Sequence, residues 1–189
     1  MVKLLPRQEF ESKVRNTTVG MSLHLRQIKK SFEELEDMSA LYTTNKRYIL
    51  LHHSWTEDSK TVSWNPIRED HMSRFNTDDI GYQYGIEEVR KAGVYEVLYG
   101  RRINSKGCHC PQGNMNNESV GFMFCGNFDL APPPIGMLHK AADFIADLCN
   151  MTGISPNNIH GHREFNSAKS CPGTKFDIEQ FKQLVRERI

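Results

Sequence analysis

The stretch Arg47-Tyr48-Ile49-Leu50-Leu51-His52-His53 decides how this chain is read. Four apolar residues in a row end abruptly on two histidines. The run is too short for a buried helix and lacks polar alternation, so it predicts a strand covered on both faces. Period two sends His52 and His53 to opposite faces, so only one of them can turn toward any given site. Working outward, Tyr82 to Ile86, Val94 to Tyr99 and Val120 to Cys125 read as further strands, punctuated by Gly, Asn and Asp. Helical patterns alternate with them. Asn65-Pro66 resembles an N-cap followed by proline at the first helical position, with Ile67, His71, Met72 and Phe75 along one face. Leu138, Ala141, Ala142, Ile145, Leu148 and Cys149 form an apolar stripe, and Gly153 lies just past its end. A last helix opens at Asp177 with Gln180 three residues on, much like a capping box; Ile178, Phe181 and Leu184 face inward, and Arg186 and Arg188 suit its C-terminal dipole. The first 45 residues read as helical, with Leu25, Ile28, Phe32 and Leu35 at helical spacing. The sum is an α/β chain with one sheet and helices on both sides.

Composition narrows the function without naming one. With 189 residues the chain is long enough for one domain with a real core, and it shows no internal repeat or low-complexity linker. A net charge of +1 carries no electrostatic footprint for nucleic acid. No apolar run approaches the ~20 residues that cross a bilayer, so no stable membrane insertion is expected. The opening MVKLLPRQEF has no long apolar stretch and no small-residue cleavage site, so the expectation is synthesis in a cytoplasm without a signal peptide. Five cysteines in a chain of this length do not suggest a disulfide scaffold. Cys125 and Cys149 lie in apolar settings and read as buried small hydrophobes. Cys108, Cys110 and Cys171 lie among Gly, Pro and polar residues, near histidines.

Two segments carry candidate chemistry. One is Leu51-His52-His53-Ser54-Trp55-Thr56. The other is His160-Gly161-His162-Arg163-Glu164, followed by Lys169-Ser170-Cys171-Pro172-Gly173. A catalytic zinc needs about three protein ligands and one open position, and imidazole nitrogens with a thiolate are suitable donors. The two segments would supply them if both border one cleft. Spacing leaves His52 against His53, and His162 against His160, undecided. It also leaves the ordinary reading, surface or core histidines, about equally weighted. The triplet Cys108-His109-Cys110 is too tight for all three side chains to ligate one ion.

The order HHSWT, DIGYQYGI, GCHC, SVGFMFCGNFD, GHREF, KSCPG resembles the zinc-dependent N-acetylmuramoyl-L-alanine amidases, the family of amidase-type phage endolysins and peptidoglycan recognition proteins. The resemblance covers roughly Lys46 to the C-terminus. It implies a central mixed β-sheet flanked by helices over 46–189, the zinc amidase catalytic domain, and leaves residues 1–45, read as helical from their spacing, as an N-terminal helical extension. It implies Zn2+ held by His52, His162 and Cys171. It implies Tyr82 and Lys169 as catalytic residues, Tyr82 hydrogen-bonding the attacking water or the tetrahedral intermediate and Lys169 stabilising the oxyanion. His109, with Asn114 downstream, and Trp55 are the candidate substrate-binding residues. Trp64 and Phe75 are further stacking candidates, for which core packing is at least as good a reading. Some relatives carry a glutamate on the strand read as Gly121 to Gly126, and this chain has Met123 and Cys125 there instead. The implied partner is bacterial peptidoglycan, met by a monomer, with no nucleic acid. The implied setting is a compact endolysin that reaches the wall once the membrane is opened. A non-catalytic peptidoglycan-binding module, or an amidase with an added protein-regulatory role, stands as the alternative.

Overall fold

The computed structural model describes residues 44–56, 64–90 and 93–189. The helical reading of the first 45 residues falls almost entirely outside them. The apolar run ending in two histidines is strand β1, Tyr48–His53. It lies within a five-stranded sheet of order β3-β2-β4-β1-β5, with β2 at Tyr84–Arg90, β3 at Val94–Tyr99, β4 at Ser119–Phe124 and β5 at Ile159–Gly161. β1 runs parallel to both β4 and β5, β4 parallel to β2, and only β3 is antiparallel. The sheet is therefore mixed, and β1 has neighbours on both sides, which is why its residues are apolar on both faces.

Helices cover both faces. Ile49 and Leu51 of β1, with Tyr84, Ile86, Phe122 and Phe124, point into the main core beneath α3 (Ile135–Thr152) and α4 (Ile178–Arg186). Of the stripe on α3, Ala141, Ala142, Ile145, Leu148 and Cys149 are buried and Leu138 is partly covered, and the helix closes where Gly153 N–H returns to Cys149 O. Asp177 caps α4 by accepting from Gln180 N at 2.9 Å. Phe181 and Val185 are buried beneath α4, whereas Leu184 is only partly covered. On the opposite face Trp64, which opens α1 (Trp64–Phe75), packs with Ile80, Met123 and Cys125. Leu50 packs with Cys110 and with Met115 of the short helix α2 (Met115–Glu118).

Three elements depart from the sequence reading. Helix α1 begins at Trp64, so Asn65 is its second residue rather than its cap. Met72 and Phe75 stay exposed at 41% and 49%; α1 is anchored through Trp64 and Ile67, and its length is otherwise dominated by charge. β4 begins at Ser119 and ends at Phe124. The third departure matters most: β2 begins at Tyr84, not Tyr82. Gly121 N–H donates to the Gln83 side chain, Oε1, at 2.7 Å, while Gln83 N–H donates to Gly121 O at 3.1 Å. A side-chain oxygen thus replaces a ladder carbonyl, and strict alternation breaks. Tyr84 points into the main core, and Tyr82 turns to the other face, beside Met123 and His52.

Candidate metal centre and catalytic site

Adjacent parallel strands bring the two histidine segments together. β1 pairs with β5 in the register Leu50 to His160 and Leu51 to Gly161. Continuing one residue past β5 sets His162 opposite His52, on the same face, at the carboxyl ends of the strands, where open α/β sheets place their ligands. The loop after His162 returns Cys171 to the same point. One ligand atom from each of His52, His162 and Cys171 lies within 4.8 Å of the others. His52 Nδ1 is 3.6 Å from Cys171 Sγ, and the backbone N–H of His53 donates to that sulfur at 3.3 Å. His162 Nε2 is buried with no hydrogen-bond partner among the described residues. A buried polar atom left without a partner costs free energy unless something absent from the protein chain completes it. Two imidazoles and a thiol around that orphaned nitrogen fit zinc.

Burial sets the electrostatics. It lowers His162 to about 4, and it holds His52 well below the usual histidine range, helped by neighbouring histidines. Both are neutral at pH 7, the form that binds metal. Burial pushes the Cys171 thiol up to about 12. A dication would reverse that preference and hold the thiolate. The near alternatives are occupied elsewhere. His53 Nδ1 accepts from Phe128 N–H, and His160 Nδ1 lies 2.7 Å from Glu164.

The surrounding layer is built from loops. His52 Nε2 is 3.1 Å from His109 Nδ1, so one nitrogen of His52 faces the thiol and the other is held by a second imidazole. The orientation of metal-binding histidines is commonly set in this way. His109 lies flat over Gly121, where a Cβ would fall 2.6 Å from its ring. Burial lowers its pKa to about 3. The loop carrying it is held by Asn116, whose Oδ1 accepts from the N–H groups of both His109 and Cys110 at 2.8 Å. The Cys171 loop is held from two sides. Arg163 reaches the carbonyls of Ser170, Gly173 and Phe176, and the Asp129 carboxylate accepts from Ser170 Oγ and Thr174 N at 2.7 Å each.

The other expected residues fall as follows. Tyr82 lies with its ring 5.0 Å from that of His52 and 6.0 Å from that of His109, nearly parallel to the latter. Burial raises its phenol pKa above the usual tyrosine value, so it is a hydrogen-bond donor at any working pH. Lys169 is exposed, and its charge lowers the pKa of both His162 and Cys171. Trp55 is 71% exposed just beyond β1, with φ at 60°. Asn114 is exposed, its amide bonded to Asn117 and Glu118. The asparagine that supports the site is Asn116, which the sequence reading passed over. Asn116, Gln83, Arg163 and Asp129 act through loop hydrogen bonds, and no periodic pattern marks them. Cys110 is buried against Leu50 and Met115, and Cys108 is half-buried. Trp64 is core.

Comparison with known proteins gives the family. The profile of the N-acetylmuramoyl-L-alanine amidase family matches residues 42–174. A peptidoglycan-recognition protein of Drosophila melanogaster is 33% identical over 137 residues, spanning 67% of this chain and 68% of that one. Among solved structures, the endolysin N-acetylmuramoyl-L-alanine amidase LysCS from Clostridium intestinale is similar with a TM-score of 0.62 at 27% identity, over 77% of this chain and 86% of that one. A point variant of Drosophila PGRP-LB in complex with tracheal cytotoxin gives 0.60 at 27% identity, over 71% and 79%. The profile match takes in β1, Tyr82, His162 and Cys171 together, and the chain belongs to the N-acetylmuramoyl-L-alanine amidase family.

Proposed function

We propose that this protein is a zinc-dependent amidase that hydrolyses the bond between the lactyl group of N-acetylmuramic acid and L-alanine in peptidoglycan. The observation that carries the reading is the convergence of His52, His162 and Cys171 at the carboxyl edge of the parallel strands, with His162 Nε2 buried and unpartnered among the described residues. When bound by these three residues, zinc supplies Lewis acidity and a nucleophile from water at neutral pH. The chain's own residues do the rest. His109 fixes the ring of His52 through its Nε2. The Tyr82 phenol, kept protonated by burial, donates to the oxygen of the scissile carbonyl as negative charge develops there. The Lys169 ammonium, at the mouth of the site, adds positive charge for the same oxygen. Trp55 offers an exposed indole for stacking on a sugar ring. Its backbone is held at positive φ by the bond from its N–H to Gly126 O, an arrangement that costs about 1–3 kcal/mol for such a residue and so tends to be kept for function. The bacteriolytic, endolysin role is the finer part of the proposal and is supported by the likeness to the Clostridium intestinale endolysin over most of its length.

Digestion of purified peptidoglycan tests the reading. Cleavage should expose new L-alanine amino termini without new reducing sugars, and a chelator should stop it. New reducing ends would make the protein a glycosidase. Retention on the wall without cleavage by the zinc-loaded protein would make it a binding module. Produced inside bacterial cells, the protein should lyse them once the cytoplasmic membrane is opened, and lysis with that membrane intact would overturn the endolysin role.

A further inference from the structure

His71 stands on α1, outside the metal-capable group, and has no part in the chemistry assigned to that group. Its Nδ1 accepts from the backbone N–H of Gly81 at 3.0 Å. Its ring lies 5.4 Å from that of Tyr82, the next residue along. The other side of Gly81 is also held, since its carbonyl accepts from Cys108 N–H at 2.9 Å. The fit is close: a Cβ at position 81 would fall 2.3 Å from Cys108 O and 3.1 Å from His71 Nδ1. The residue preceding Tyr82 is thus clamped between α1 and the loop that carries His109. This clamp sits just where strand alternation fails and β2 has not yet begun, so the face that Tyr82 takes is not dictated by the pleat.

We propose that His71 is a positioning residue for the amidase reaction, aiming the Tyr82 phenol by holding the Gly81 peptide and packing on the tyrosine ring. It acts through Tyr82 and touches neither substrate nor metal. To accept at Nδ1 its imidazole carries its proton on Nε2. The inference rests on the amidase reading, and its test separates the two.

Zinc-loaded wild-type, His71→Leu, His71→Asn, Tyr82→Phe and His71→Leu/Tyr82→Phe proteins would be assayed on a soluble muropeptide, with zinc content measured for each. His71→Leu removes the acceptor. His71→Asn places an oxygen where Nδ1 stood. A misplacement of about 1 Å can cost on the order of a hundredfold in rate, so His71→Leu should lower kcat by about 10- to 100-fold with KM and zinc content unchanged. His71→Asn should recover most of it. In the Tyr82→Phe background His71→Leu should cost nothing further, because the group it aims is gone. In 15N-glycine-labelled protein, the Gly81 amide should exchange faster in His71→Leu than in wild type, whatever the activity. Equal losses in both backgrounds, loss of zinc, unchanged kcat in His71→Leu, or no recovery in His71→Asn would each overturn the proposal. An inactive wild type would overturn the amidase reading instead, and the Gly81 amide would still report on the clamp.

Discussion

Zinc binding to this site should be linked to the release of one proton, and no more, between pH 5 and 6.5. In the metal-free protein burial pushes the Cys171 thiol up to about 12, so it is protonated throughout that window. Zinc binds the thiolate, so that proton must leave. The histidines behave in the opposite way. Burial lowers His162 to about 4 and holds His52 well below the ordinary value, so both are already neutral and release nothing. Each unit rise in pH then raises the thiolate fraction, and with it the affinity, tenfold. Across the window zinc should bind about 30-fold more tightly at the upper end. Had both histidines kept pKa values near 6.5, each would contribute about 16-fold more, and the span would be about 8,000-fold. The window stops below pH 7 because water on zinc ionises near there. Competition with a chromophoric chelator at constant ionic strength gives the slope. Calorimetry in two buffers of different ionisation enthalpy counts the proton. A slope of two or three, or a flat line, would refute the reasoning that burial holds both histidines neutral and the thiol protonated before metal arrives.

The remaining predictions separate ligands, support and reaction. Cys171→Ala should lose metal and hydrolysis together, whereas Tyr82→Phe should keep zinc by elemental analysis and hydrolyse about a hundredfold more slowly. Asn116→Ala strands the N–H groups of His109 and Cys110 and should cost about 1–3 kcal/mol in urea denaturation. Asn150→Ala, exposed on α3, should stay within about 0.5 kcal/mol, and equal costs for the two would contradict the support assigned to Asn116. Gly121→Ala drives a methyl into the His109 ring and should weaken zinc binding by about 10- to 100-fold through the lost contact with His52; unchanged zinc affinity would remove His109 from the metal site.

Much of this architecture is legible in the sequence wherever burial is periodic. The double-faced apolar run of β1, the stripe and terminal glycine of α3 and the Asp177 cap of α4 are each local signals that the packing reinforces. Periodicity fails where one end of an element does the anchoring. Helix α1 carries apolar residues at helical spacing yet buries little beyond Trp64, so its pattern overstates its buried face. It fails again at Tyr82, where a Gln83 side-chain oxygen takes the place of a backbone carbonyl. A strand pattern cannot show that substitution. Asn116 was hidden for a third reason. It stands on α2, its two accepted hydrogen bonds come from residues in the loop before that helix, and it is one of several neighbouring asparagines with no period to set it apart.

The choice between His52 and His53 shows how far the core reaches into the chemistry. Spacing alone leaves the pair equivalent. In the structure the choice belongs to register. Ile49 and Leu51 point into the core under α3 and α4, so His53, which continues that alternation, lies against Phe128. Tyr48 and Leu50 take the other face, so His52 meets His162 across the Leu51 to Gly161 pairing. A slip of one residue in β1 would exchange the two histidines, but it would also exchange Ile49 and Leu51 with Tyr48 and Leu50. The main core would then receive Tyr48 and Leu50 in place of Ile49 and Leu51, a tyrosine where an aliphatic side chain packs with Phe122 and Phe124. The apolar residues that never touch the site therefore select which histidine faces it, and a β1 variant with its apolar alternation shifted by one would be expected to lose the metal site before losing either histidine.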